Sequence, residues 1–68
     1  MNDYLVLIYE DGKVSAVIPT PDEDNAKMLA IIALWDKDNE RAEVYARVEI
    51  EPHKVGYVRV GACLREEL

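Results

Sequence analysis

The chain contains no phenylalanine and only one tryptophan, one cysteine and one histidine in 68 residues. A lone Cys63 excludes an internal disulfide, and one free thiol suits a reducing compartment, so the cytoplasm is the expected location. His53 and Cys63 belong to no compact cysteine and histidine array of the kind that holds structural zinc, and no metal or cofactor is expected. A cysteine nucleophile would need His53 as its base and a third group to orient it, and no candidate for that group stands out. His53, next to Pro52, reads as an exposed loop imidazole. Glycine is scarce too: neither a phosphate-binding loop nor a dinucleotide fingerprint is present. The longest apolar run, Met28 to Trp35, is eight residues, far below the roughly 20 that cross a bilayer. No basic segment followed by an apolar stretch opens the chain, so neither a signal peptide nor a membrane span is expected.

Positive charge is the other scarcity. Fourteen acidic residues against eight lysines and arginines give a net charge of −6, which disfavours direct binding to bare nucleic acid unless a basic patch gathers locally. Six of the fourteen acids fall in two clusters, Asp22-Glu23-Asp24 and Asp36, Asp38 and Glu40. Neither completes a calcium loop, and both read as capping or solvated groups.

What is present is aliphatic. Half of the residues are apolar, which argues for a folded chain, and the length suits a single domain over residues 1–68. A domain of this size buries only about 60% of its unfolded surface, so nearly all of its aliphatic residues need cover.

Tyr4 to Tyr9 and Lys13 to Ile18 have the composition of strands, and Asp11-Gly12 between them suits a type I′ hairpin turn. Pro19-Thr20-Pro21 is expected to end the second strand. A helix is expected from Pro21 to Trp35–Lys37, opened by a Thr20-x-x-Glu23 capping box. Met28, Ile31, Ile32 and Trp35 share a helical stripe, with Leu29 and Leu34 beside it, and this face is expected to pack on the sheet. Ala26, Ala30 and Ala33 would then form an outward back of small residues. Ala42 to Glu51 alternates apolar and polar residues, as does Tyr57 to Ala62, with Gly56 and Gly61 as candidate bends or bulges. Residues 62–68 are expected as a short terminal turn or a tail. The fold class that follows is α+β, in the order β-β-α-β-β, with one central helix on a four-stranded, mainly antiparallel sheet.

Tyr9, Tyr45, Arg47, Tyr57 and Arg59 are the candidate interaction residues, because period-two alternation puts tyrosine and arginine together on the polar side of the later strands. Lys54 to Val60 resembles the basic-aromatic strand of sheet-based RNA readers, although their β-α-β-β-α-β order is missing. Arg47 and Arg59 have an ordinary alternative in cross-strand pairing with Glu43 or Glu49.

No spacing assembles a catalytic set, so a non-enzyme is expected. The leading expectation is a small acidic interaction or regulatory module with a protein partner, including an inhibitor that engages a basic surface. Single-stranded nucleic-acid binding through the tyrosines and arginines is the alternative, and an enzyme with an interface-assembled site the third. The nearly uniform apolar first strand, with Leu5, Leu7 and Tyr9 on its second side, adds the expectation of a homodimer joined through the sheet or the chain end.

Overall fold

A computed structural model describes residues 2–65 of the chain. Strand β1 (Tyr4–Glu10) turns through Asp11 and Gly12, both at positive φ, into β2 (Lys13–Thr20). These angles are the ones a type I′ turn requires, and glycine tolerates them without a Cβ clash. Helix α1 (Glu23–Ala33) crosses the sheet, and β3 (Arg41–Glu51) and β4 (Lys54–Leu64) form a long second hairpin. The sheet order is β2-β1-β3-β4 and every neighbouring pair is antiparallel. The α+β architecture expected from the sequence is therefore the one observed.

Pro19 does not end β2 as expected. It lies within the strand opposite Leu5, where the missing N–H does no harm because β2 is a sheet edge. The strand runs on to Thr20, which is buried. Thr20 is therefore a strand residue, and the helix cap passes to Asp22, whose carboxylate accepts from the Asn25 backbone N–H at 2.8 Å and from the Asn25 side-chain amide at 2.8 Å. The expected Thr20-Glu23 box is replaced by this Asp22-Asn25 pair. Asp22→Ala should cost about 1 kcal/mol in thermal or chemical denaturation. An unchanged midpoint would deny Asp22 the capping role.

The helix also ends earlier than expected. Leu34 and Trp35 donate to the carbonyls of Ile31 and Ile32, a tighter final turn that leaves Trp35 beyond the helix proper. At the chain's far end Ala62, Cys63 and Leu64 continue β4 instead of forming a turn or tail, and residues 66–68 lie outside the described ones. The Arg65 guanidinium then reaches back to the carbonyls of Leu34, Asp36 and Asn39, tying the helix-to-β3 connection to the end of β4.

The largest departure from expectation is the rotation of the helix. Ala26 and Ala30 are buried against Val6, Ile8, Ala42 and Val44, with Tyr4, Ala16, Ile18, Leu29 and Ala33 packed against them, and Leu34 is buried as well, so of the expected helix face only the flanking Leu29 and Leu34 turn inward. The stripe expected to form the core faces away from the sheet instead: Met28 is 59% exposed and Trp35 75%, with Ile31 and Ile32 beside them. Small residues let the helix axis approach a sheet surface whose own β-branched side chains already fill the space beneath. The ends hold that phase, through the Asp22 cap at one terminus and buried Leu34 at the other.

Candidate interaction surface

Residues directly opposite in a ladder share a face, so the register assigns the sheet surface that the helix does not cover. Along β1 and β2 this face carries Leu5, Leu7 and Tyr9 with Pro19, Val17 and Val14 as their partners. Along β3 it carries Arg41, Glu43, Tyr45 and Arg47, opposite Leu64, Ala62, Arg59 and Tyr57. One half of the surface is thus aliphatic and the other half tyrosine and arginine. All five residues singled out from the sequence lie on it.

They do not form one cluster. Tyr9, Tyr45 and Arg59 converge on Glu43, which the sequence reading had offered only as a salt-bridge partner. Glu43 is 5% exposed although its face of the sheet is uncovered. The Tyr45 hydroxyl donates to Oε1 at 3.2 Å, and Arg59 Nη1 donates to Oε2 at 3.0 Å. The Tyr9 hydroxyl, on the same face, also favours the charged carboxylate, and Arg41 adds its charge. Burial alone would raise the Glu43 pKa, but the Tyr9 hydroxyl and the hydrogen bonds from Arg59 and Tyr45, with the Arg41 charge, outweigh it and leave the carboxyl below its ordinary value of 4.5. The Tyr45 hydroxyl moves the other way, because burial and its hydrogen bond to anionic Glu43 both favour the protonated form.

Arg41 is the contributor that sequence reading missed. Its guanidinium carbon lies 4.0 Å from the centroid of the Tyr9 ring, and its Nε is buried without a hydrogen-bond partner among the described residues. The available signal was positional, since Arg41 continues the period-two series of Glu43, Tyr45 and Arg47.

Arg47 and Tyr57 face one another farther along the hairpin, roughly 13 Å from Glu43 at ~3.3 Å per residue. Tyr57 is exposed, and among the described residues no ion pair engages Arg47. Of the two cross-strand pairings offered as alternatives, the one observed joins Arg59 to Glu43.

A β-bulge builds this geometry. The register shifts between Val44 and Tyr45, so Tyr45 stands opposite Arg59 while Val44 stands opposite Gly61. Gly61 thus adjoins one of the bends anticipated from the sequence. An open concavity of about 520 Å³ lies beside it, lined by Arg41, Glu43, Arg59, Val60 and Leu64 among others.

Charge is unevenly distributed over the molecule. On the uncovered face Arg59 and Glu43 offset one another, which leaves Arg41 and Arg47 against the distal Glu49, while Asp22, Glu23, Asp24, Asp36 and Asp38 sit at the two ends of the helix. His53 lies in the turn between β3 and β4 at positive φ and is exposed, and Cys63 is a partly buried free thiol on the helix side. Among the described residues no helix is long and apolar enough to cross a membrane. Comparison with protein-family models, curated proteins and solved structures finds no match.

Proposed function

We propose that this chain is a small protein-interaction module whose recognition surface is the uncovered sheet face. The observation that carries the reading is the burial of Glu43 on an outward-facing surface. Placing a carboxylate there requires several donors to offset its desolvation, and the result is a fixed array of Tyr9, Tyr45 and Arg59. Tyrosine and arginine are the residues that dominate protein-binding hot spots, and here they border an aliphatic half formed by Leu5, Leu7, Val14 and Val17. The net charge of the chain points to a basic partner, but the local arginines select differently. The partner that fits this face presents carboxylates beside apolar side chains.

Nucleic acid fits less well. Arg41 occupies the Tyr9 ring face on which a base would stack, and the Tyr45 hydroxyl is tied to Glu43. Self-association belongs to the proposed reading as well, because the outward helix face lacks cover in the single chain. A reducing compartment such as the cytoplasm suits its free Cys63.

Selection of peptides from a random displayed library on the immobilised protein tests the surface. The expected winners combine Asp or Glu with apolar residues and lose binding when Arg47 and Arg59 are changed to Glu. Winners that are basic, or indifferent to that change, would contradict the proposal. Binding of a single-stranded oligonucleotide that Tyr57→Ala abolishes would move the face to the nucleic-acid class.

A further inference from the structure

The hairpin β3-β4 outruns the rest of the sheet. β1 pairs with β3 only from Tyr9 opposite Arg41 to Tyr4 opposite Ala46, with one further bond from the Arg47 N–H to the Asp3 carbonyl, so residues 48–56 project as a two-stranded arm beyond the N-terminal end of α1. The shape records this. The radius of gyration is 12.3 Å, against roughly 11 Å for a compact chain of this length, and the longest dimension is 41 Å. The accessible surface is 4797 Å², about a tenth more than a typical monomer of 7.7 kDa exposes.

The arm continues the helix side of the sheet with apolar residues, which no described residue covers at its outer part. Val48 stands opposite Gly56 and Ala46 opposite Val58, and Ile50 lies over Gly56, where an added Cβ would come within 2.6 Å of Ile50 Cδ1. Ile50 is 67% exposed and Val58 52%. An isolated two-stranded ribbon is marginal in water, so this arm calls for a surface to lie on.

We propose that the surface is the helix of a second copy. Two chains pack helix side to helix side about a two-fold axis, each arm lying over the other's α1, so that Ile31 and Trp35 of one protomer meet the Val48 and Ile50 region of its partner. This rests on the self-association reading and adds how the two copies fit. The dimensions are compatible: the eleven-residue helix is about 17 Å long at ~1.5 Å per residue, and the four arm residues of β3 beyond Arg47 span about 13 Å at ~3.3 Å, most of the helix length. The result is a sheet-helix-sheet sandwich in which each helix is covered on both sides. Met28, Ile31, Ile32, Trp35, Ile50 and Val58 together expose on the order of 700 Å² per chain, so covering all of them approaches the roughly 800 Å² per partner of a standard stable interface. Arm and helix are different patches, and a two-fold axis pairs them reciprocally. Each copy carries −6, so apolar burial acts against charge repulsion and added salt strengthens the dimer.

Light scattering over a dilution series, joined to cysteine cross-linking in a Cys63→Ser background, tests this. The expected result is a dimer whose dissociation constant rises ~10-fold or more with either Trp35→Asp or Ile50→Asp, both at exposed positions that the fold tolerates. A short bismaleimide should link the Ile31→Cys, Ile50→Cys double variant into a covalent dimer and leave each single variant unlinked. A dimer that survives Ile50→Asp, or that cross-links through Ile31→Cys alone, would overturn the arm-over-helix arrangement while leaving self-association standing. A monomer at every concentration would overturn both.

Discussion

Replacing Ala26 with leucine is expected to cost about 3 kcal/mol, the upper part of the range for overpacking a filled core. Ala26 is 0% exposed and lies in the layer formed by Val6, Ile8 and Val44. Its neighbour one turn on, Ala30, borders an open groove of about 180 Å³ with Ile31, Val44 and Gly61, into which a larger side chain would extend, whereas at Ala26 a larger side chain must lift the helix from the sheet. The total stability of such a domain is only on the order of 3–10 kcal/mol at 0.05–0.15 kcal/mol per residue, so the variant should be largely unfolded or strongly shifted in a urea titration. The companion change, Met28→Ala on the outward face, should stay within about 0.5 kcal/mol when measured at concentrations that keep the chain monomeric. A core built on the large stripe would reverse the order, with Met28→Ala costly and Ala26→Leu tolerated.

The second large effect concerns Glu43. Glu43→Gln keeps the shape of the side chain but removes the charge that Arg59 and Tyr45 are arranged around, and should cost about 1–2 kcal/mol near neutral pH. The estimate stays modest because the Arg59 side chain is 60% exposed and solvent screens that pair. The pH dependence is the sharper signature. The folded pKa of Glu43 lies below the ordinary value of 4.5, so between the two values the unfolded chain binds more protons and stability rises with pH. The contribution is fully present above about 4.5 and is lost as pH falls through the folded value. Wild type should therefore lose stability more steeply on acidification than Glu43→Gln. Parallel acid profiles would show that the carboxylate is no better held in the folded chain than in the unfolded one.

The elements of the fold were legible because their signals are local. Asp11-Gly12 marks its turn by φ requirements, and Ala42 to Ile50 marks a strand by alternation. The rotation of the helix was not legible, since both of its faces are apolar and periodicity alone cannot say whether alanines or isoleucines point inward. What decides is the volume already filled by the sheet, a tertiary property. The cap was misread for a related reason. Thr20 and Asp22 are both competent capping residues, and the pairing of Thr20 with Tyr4 in the β1-β2 ladder removes the first from contention. On the uncovered face, alternation located the tyrosines and arginines. It could not show that Glu43 is buried among them, because a one-residue bulge sets which β4 side chain stands opposite Tyr45.

The outward turn of the Met28-to-Trp35 stripe is the central claim, and Trp35, the only tryptophan, reports on it directly. Acrylamide quenching and emission of Trp35 across a dilution series should show an exposed, readily quenched, red-shifted indole in dilute solution. On concentration it should become shielded and blue-shifted as a second copy covers the helix. A blue-shifted, poorly quenched indole that does not respond to dilution down to the monomer would place Trp35 inside its own chain's core and contradict the account.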